Sequence, residues 1–377
     1  MISEYIKEKN MKKCLVFGLS SQYAGVESFI FNYIENMERI NENIKFEFLL
    51  FDKIPEYLSA SFLESHEVHI VPTRTMKPIA YYNGLKQIIK KGHYDIIWYN
   101  VCTLSDITLL KVAKKYGVSC RIVHSHNSEN MGGKIAGILH NIHKREIEKV
   151  ATHFFACSRV AGEFMFPEKV SKNEMKVVKN AIPVKKYIFD LGIRKRIREI
   201  LGISDELVIG HVGRFHFQKN HDFIIDVFDE LLSLHANSKL LLIGEGPLKQ
   251  NIIDKSKKLE IYDKIIFLEK RADVHELLQA MDVFIFPSRF EGLGIALIEA
   301  EASDLPCIIA DTIPKEARLI NKIKVLSLDK SPVVWAKTVL EASKKSIRNS
   351  QEDIFKEKGY DVTLNAKMLS DTFNNII

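Results

Sequence analysis

The sequence predicts an α/β protein built from two doubly wound, parallel-sheet domains. Three observations carry that expectation. The chain has 377 residues, long for one domain and comfortable for two. Short, apolar, β-rich runs alternate with amphipathic stretches, as in a parallel sheet covered on both faces. The alternation pauses at NAIPVKKYIFDLGIRKRIREILGI and then restarts, placing a junction near residues 180–205.

KKCLVFGLS reads as the first strand and GVESFIFNYIENMERI as the helix after it. KFEFLLFD, EVHIVP, YDIIWYN, CRIVHSH and HFFACS follow as strands. AYYNGLKQIIKKG, ITLLKVAKKYG and GKIAGILHNIHKREIEKV read as helices among them. Beyond the junction come LVIGHVG, a helix from about Asn220, and the strands KLLLIG, KIIFLE, VFIFPS and PCIIAD with helices between. From about Ser331 the chain reads as helical. The expected boundaries are 1–185, 186–355 and a helical tail over 356–377 that can pack back on the first domain.

Apolar residues at 46% and charged residues at 27% exclude disordered, collagenous and low-complexity classes. No apolar run reaches the roughly 20 residues of a membrane helix. MISEYIKEKNMKK lacks the apolar segment of a signal peptide. The five cysteines lie far apart without a CxxC pair, which argues against a zinc ribbon or redox motif and suits a reducing cytoplasm. A net charge of +6 permits an anionic substrate or membrane surface. Nucleic-acid binding would want a stronger charge with interleaved aromatics.

In such sheets ligands sit beyond the carboxyl ends of the strands, so two such domains would face each other across a cleft. Four strand-end loops are informative. In VGRFHFQKN, residues 212–220, the strand ends at Gly213, and Arg214 and Lys219 precede a helix. Arg offers a planar fork, Lys a point charge and the helix start a partial charge, together suited to two phosphates. By itself the loop reads better as a solvated basic turn. In FEGLGIALIEAEAS, residues 290–303, Glu291 and Glu299 are acceptor-only groups that suit vicinal hydroxyls. A helix starting near Gly294 puts Glu299 about 7 Å along its axis. Gly292 and Gly294 permit close approach and leave backbone N–H groups open; the alternative is a glycine turn before an ordinary helix. In GLSSQYAGVES, residues 18–28, Gly25 lets the loop pass near a phosphate, although GxGxxG is absent. In RIVHSHNSE, His124, His126 and Asn127 end a strand. The HxH spacing invites a metal, but no third ligand is placed, so zinc is set aside. Both histidines share one face, with His124 a pleat deeper.

Together YAGVE, RIVHSHN, FFACSRVAGEFMF, KNAIP, VGRFHFQKN, IGEGPLK, FLEKRADVHELL and EGLGIALIEAEASDLP resemble the retaining nucleotide-sugar glycosyltransferases of the GT-B fold. The likeness is to the group 1 (family 4) type that builds bacterial capsules and exopolysaccharides, and it runs from about Met11 to the C-terminus. It implies an N-terminal acceptor domain, a C-terminal donor domain and two Rossmann-like sheets. It implies that Arg214 and Lys219 hold the donor diphosphate, beside Gly213. Glu299 would bind the ribose. Glu291, with the backbone of Gly292, Leu293, Gly294 and Ile295, would bind the transferred sugar. Gly25 would pass beside the phosphates, His126 would serve the reaction centre, and Gly244 and Glu245 would line the nucleotide side. The segment around Lys270 and Arg271 would meet the base. The sequence departs from the family at Ala24-Gly25, where two glycines are common, and at Glu269, where a glycine is common. The first ten residues also extend beyond the usual start, making Met11 an alternative initiator.

The resemblance implies transfer of a hexosyl or N-acetylhexosaminyl group from a UDP-sugar to a saccharide or lipid-linked saccharide. Transfer would proceed on the front face with retention, without cofactor or metal; there is no DxD-type motif in a strand-end loop. It implies a cytoplasmic enzyme, at the inner face of the membrane. GGKIAGILHNIHKREIEKV carries Ile135, Ile138, Leu139 and Ile142 with Lys134, Lys144, Arg145 and Lys149. It reads either as a helix lying on an anionic membrane or as an ordinary packed helix. Arg194, Lys195, Arg196 and Arg198 read as a solvated basic face. Rival readings are a non-hydrolysing UDP-sugar epimerase of the same architecture and a non-catalytic polysaccharide-assembly protein. A nicotinamide oxidoreductase would need the missing GxGxxG.

Overall fold

The computed structural model describes residues 11–41, 43–127, 133–344 and 347–375. The alternative start at Met11 concerns residues 1–10, which lie outside the described residues. The chain divides into two compact units. One comprises the described residues up to Ala181 and from Val362; the other is Ile182–Asp361. The junction thus falls four residues before the expected one, and residues 356–361 stay with the second unit. Ile182 and Asp361 form a parallel bridge, and the Ile182 N–H donates to the Tyr360 carbonyl at 3.0 Å.

The first unit holds seven parallel strands: β1 (Lys12–Phe17), β2 (Ile44–Phe51), β3 (Val68–Val71), β4 (Ile96–Val101), β5 (Cys120–Ser125), β6 (His153–Ala156) and β7 (Met175–Val177). Their order is β3-β2-β1-β4-β5-β6-β7. The second holds β8 (Leu207–Val212), β9 (Ser238–Ile243), β10 (Ile265–Leu268), β11 (Val283–Phe286), β12 (Cys307–Ala310) and β13 (Ile323–Leu326), ordered β10-β9-β8-β11-β12-β13. In each sheet the first strand lies between strands wound in opposite directions. The crevices that parallel sheets offer to ligands therefore open at the ends of β1/β4 and β8/β11.

Central strands are buried on both faces, so their sequences are continuously apolar rather than alternating. Cys14, Leu15 and Val16 of β1 are buried, as are Val283–Phe286 of β11. One face of the first sheet is covered by helices Gly25–Ile40 and Val362–Asn375, which bring Phe29, Tyr33 and Phe373 onto Trp98 and Phe46. Leu85, Leu110 and Ile147 pack on the other face. The edge strands β7 and β13 were not anticipated. They are only three and four residues long and mix lysine with apolar residues, the usual character of an edge.

The basic run over 194–198 is not the solvated face expected of it. Arg194 donates to Asp282 at 2.6 Å and to the carbonyls of Gln279 and Met281. Arg198 is buried and donates to the Ala280, Ser204 and Glu206 carbonyls, with Asp282 at 3.5 Å. Arg196 pairs with Glu276 at 2.8 Å. These guanidinia collect carbonyls left unpaired where helix Val274–Ala280 ends. Of the run, Lys195 and Arg196 remain exposed.

Glu47 of β2 is a buried carboxylate held by the Tyr94 hydroxyl at 2.6 Å, His69 at 3.0 Å and Lys13 at 3.0 Å. Burial alone would raise its pKa; the Tyr94 hydroxyl, His69 and Lys13 outweigh burial and hold it at about 2. A depressed carboxyl stabilises the fold above its ordinary value of 4.5 and loses that contribution as pH falls toward 2. Tyr94→Phe should therefore lower stability by about 1.5–3 kcal/mol at pH 7. The difference should shrink below pH 4.5, as read by urea unfolding at pH 7 and pH 3. A difference that stays constant with pH would contradict this account.

Candidate active site

At the β8/β11 crevice the loop after β8 runs beside the loop after β9. The Gly213 N–H donates to the Ile243 carbonyl at 3.0 Å, and the Phe215 N–H to Glu245 at 2.8 Å. A Cβ on Gly244 would lie 2.2 Å from the Gly213 carbonyl oxygen, and one on Gly246 would lie 2.4 Å from that of Phe215. Both have left-handed φ angles, +148° and +154°. Gly244 is therefore required by the approach of one loop to the other. Gly246, which sequence reasoning gave no role, is required for the same reason. The Glu245 side chain is exposed.

The two loops singled out by sequence clasp each other. The Lys219 Nζ lies 2.6 Å from Glu291 Oε1, with side chains only 16% and 6% exposed. It also sits over the Phe286 ring, 4.8 Å from its centre. Gln218 donates to Glu291 Oε2 at 3.3 Å and to the Phe290 carbonyl at 3.0 Å. Asn220, in the left-handed region at φ 58°, donates to the Pro287 carbonyl at 3.2 Å and accepts from Arg289 at 3.0 Å. The Arg289 N–H returns to the Gln218 carbonyl at 2.8 Å. Lys219 and Glu291, assigned separate ligands by sequence, are thus each other's partners. Arg214 is different. It is exposed and, among the described residues, has no hydrogen-bond or ion-pair partner. The loop therefore carries one paired cation and one open to an anion.

Gly294, at φ +83°, caps helix Ile295–Ala302, and a Cβ there would come within 3.1 Å of the Phe286 ring. Gly292 is exposed, with nothing near its Cβ position. Leu293 and Ile295 pack partly buried against the core of the second unit. Glu299, on this helix, accepts from the Tyr187 hydroxyl at 2.8 Å. Burial lifts its pKa to about 7 against the pull of that hydrogen bond. Glu301 has a different task. It is fully buried, accepts the N–H groups of Leu319 and Ile320 at 2.6 and 2.9 Å, and is pushed up to about 8 by burial. Arg271 forms a two-pronged pair with Asp273 at 2.8 and 2.6 Å, so its guanidinium is engaged locally.

In the first unit, the loop after β1 is closed by a residue the sequence reading missed. Glu27 is buried and accepts from the Ser20 N–H at 2.9 Å and the Ala24 N–H at 2.8 Å. The available signal was an acid three positions beyond the helix cap. Gly25 opens the helix, and nothing lies within 4 Å of a Cβ there, so protein packing does not demand a glycine. His124 is fully buried, whereas His126 is partly exposed, as their depths along β5 require. The rings stack at 4.3 Å and both meet Phe29. Asn100, also missed, is buried at the end of β4. Its amide N–H donates to the Trp98 carbonyl at 3.3 Å, which turns its carbonyl oxygen to His126 Nε2 at 2.9 Å. His126 Nε2 is thereby the protonated nitrogen, and Nδ1 is buried without a hydrogen-bond partner among the described residues. Burial drops the His126 pKa to about 3, so the ring is neutral near pH 7.

Outside these crevices, Glu47, Glu67 and His69 bring ligand atoms within 4.8 Å of one another. Lys13 and Lys45 already stand 3.0 and 3.3 Å from Glu47 there.

Residues 193–362 match the family model of the glycosyl transferases group 1. That span is nearly the whole second unit. The chain carries a group 1 glycosyltransferase domain. It is 28% identical over 363 residues to a Bacillus subtilis protein that bears the name glycosyltransferase EpsF, covering 93% of both chains. It is 24% identical to the Staphylococcus aureus capsular polysaccharide biosynthesis glycosyltransferase CapH, over 71% of this chain and 75% of that one. Among solved structures, Anabaena HepE in complex with UDP and glucose superposes with a TM-score of 0.74 at 17% identity, covering 97% of this chain and all of that one. WaaG, a glycosyltransferase involved in lipopolysaccharide biosynthesis, gives 0.62 at 16% identity, over 96% and 95%. The fold of this glycosyltransferase is accordingly GT-B.

The raised carboxyl of Glu299 has a measurable consequence. A carboxyl harder to ionise when folded destabilises the glycosyltransferase progressively from its ordinary 4.5 to about 7, and fully above that. Glu299→Gln should raise stability by up to about 3 kcal/mol at pH 8 and change little at pH 4. Denaturant titrations at the two pH values test this, and an equal effect at both would refute it.

Proposed function

We propose that this glycosyltransferase moves a hexosyl or N-acetylhexosaminyl group, with retention, from a UDP-sugar to a saccharide or lipid-linked saccharide acceptor in cell-surface polysaccharide synthesis. The observation that carries the reading is the Lys219–Glu291 clasp beside the unpartnered Arg214, at the switch point of the second sheet. The named activities of relatives point the same way. HepE is known in complex with UDP-glucose. An Escherichia coli relative, 24% identical over 70% of this chain and 68% of that one, transfers galactose from UDP-Gal to a diphosphoundecaprenol-linked GlcNAc.

In this reading Arg214 and Lys219 take the donor diphosphate, with Lys219 exchanging part of its hold on Glu291 for phosphate oxygen. Glu291, released to that extent, accepts hydroxyls of the transferred sugar beside the backbone of residues 292–295. Glu299 accepts the ribose hydroxyls. The departing phosphate oxygen takes the acceptor's proton as the new glycosidic bond forms on the same face. Catalysis is then charge stabilisation and positioning, and the two side-chain cations do what a divalent metal does elsewhere. Neutral His126 contributes a dipole to the reaction centre, not a proton. Arg214→Ala and Lys219→Ala should each cost about 2–4 kcal/mol of transition-state stabilisation, a loss of tens- to about a thousandfold in turnover; the unfolding curve of Arg214→Ala should be intact, while Lys219→Ala should fold with lower stability because Glu291 loses its partner. Turnover should survive excess EDTA. Unchanged turnover in both variants would remove the reading, and loss with EDTA restored by magnesium or manganese would remove its metal-free form.

A lipid-linked acceptor fits a further surface. Ile135, Ile138 and Ile142 of helix Gly133–Val150 do not face the core; they are 76%, 61% and 49% exposed. Lys134, Arg145 and Lys149 share that exposed side, while His140, Ile147 and Val150 face inward. This reading places the enzyme on the inner face of the cell membrane, held by apolar insertion and charge. Vesicles containing phosphatidylglycerol should bind the protein, and Ile138→Glu should abolish binding while leaving transfer to a water-soluble acceptor intact. Equal sedimentation of wild type and variant with the vesicles would count against it.

A further inference from the structure

We infer that Tyr187 is a positioning residue for the donor's ribose, fixing the Glu299 carboxylate against the diol that this carboxylate accepts. The inference rests on the reading of Glu299 as the ribose ligand. Tyr187 ends the 3-10 turn Val184–Tyr187 at the start of the second unit, 112 residues from Glu299 in sequence. Its hydroxyl donates to Glu299 Oε1 at 2.8 Å, and among the described residues no other side chain hydrogen-bonds that carboxylate.

The tyrosine is itself held. Its ring is buried and lies edge-on to His275 at 6.1 Å. Its carbonyl accepts from Gln279 Nε2 at 3.2 Å. Gln279 is buried, donates also to the His275 carbonyl at 3.1 Å, and accepts from the Asp190 N–H at 3.3 Å. The phenol is thus a strut anchored at its backbone and tipped with a donor. A glutamate has three rotatable side-chain bonds, and one anchored oxygen leaves the other held in a single direction. A vicinal diol presents two donors in fixed relation, so the orientation of the accepting carboxylate governs whether both are met.

Calorimetry with UDP and with 2′,3′-dideoxy-UDP, on wild type, Tyr187→Phe and Glu299→Gln, isolates the ribose contribution. Tyr187→Phe keeps the ring and should stay folded, with a modest loss of stability from the missing hydrogen bond. It should weaken UDP binding about tenfold and leave dideoxy-UDP affinity unchanged. Donor KM should rise by a similar factor with a smaller change in kcat. Glu299→Gln should likewise lose affinity only for the ligand that has the diol. If Tyr187→Phe weakens both ligands equally, the tyrosine is merely structural and the inference falls while the ribose reading stands. If Glu299→Gln discriminates between the ligands and Tyr187→Phe binds both as wild type does, the inference also falls alone. If Glu299→Gln treats both ligands as wild type does, the ribose reading fails and takes the inference with it.

Discussion

The crevice of the second unit depends on one ion pair. Lys219 and Glu291 sit on loops that leave different strands, β8 and β11, and meet at 2.6 Å with little exposure. A pair so enclosed is costly to desolvate and is stable only when its remaining hydrogen-bonding capacity is met. Gln218 donates to Glu291 and the Phe286 ring faces the Lys219 ammonium, while the cross-links through Asn220 and Arg289 hold the two loops together. The clasp also neutralises one of the two cations in the loop after β8, and among the described residues Arg214 keeps an uncommitted charge. In the proposed reading a diphosphate would compete with Glu291 for Lys219, which would make phosphate binding and release of that carboxylate one coupled exchange.

Three buried carboxylates and one partly buried one show how differently one functional group can be used. Glu27 accepts two N–H groups and shapes the loop after β1. Glu301 does the same for residues 319 and 320. Glu47 is embedded in a ring of donors and stays ionised far into acid. Among the described residues Glu299 has one side-chain donor, the Tyr187 hydroxyl, and desolvation raises its pKa to about 7. A carboxylate left under-satisfied in a crevice is a cost to stability, and a ligand bearing hydroxyl donors can relieve it. Glu299 and Glu301 stand two residues apart on one helix, so they point to nearly opposite sides and cannot share a task.

Burial corrected several expectations that composition suggested. The arginine run reads as a wet helix face because charge is normally solvated, yet the carbonyls left without helical partners where helix Val274–Ala280 ends, and Asp282, draw Arg194 and Arg198 inward. The isoleucines of helix Gly133–Val150 read equally well as a packing stripe, and three of them face solvent instead. Periodicity finds an apolar stripe but does not say which partner covers it.

The sequence by itself determined the architecture. Apolar strand runs broken by amphipathic helices admit little but two covered parallel sheets, and the pause in that alternation pointed to a junction near residues 180–205. It also singled out the loops in which chemistry is expected, because Arg214, Lys219, Glu291 and the glycines are local motifs at strand ends. The short edge strands β7 and β13 escaped it, since three or four mixed residues leave no period to detect. Only the tertiary structure decided the partners. That Lys219 belongs to Glu291, that Asn100 sets the protonated nitrogen of His126, and that Tyr187 reaches Glu299 are contacts between residues 72, 26 and 112 positions apart. Spacing along the chain encodes local geometry. Pairings at such separations follow from strand order and from which side chains burial leaves without water, and those are properties of the folded sheets alone.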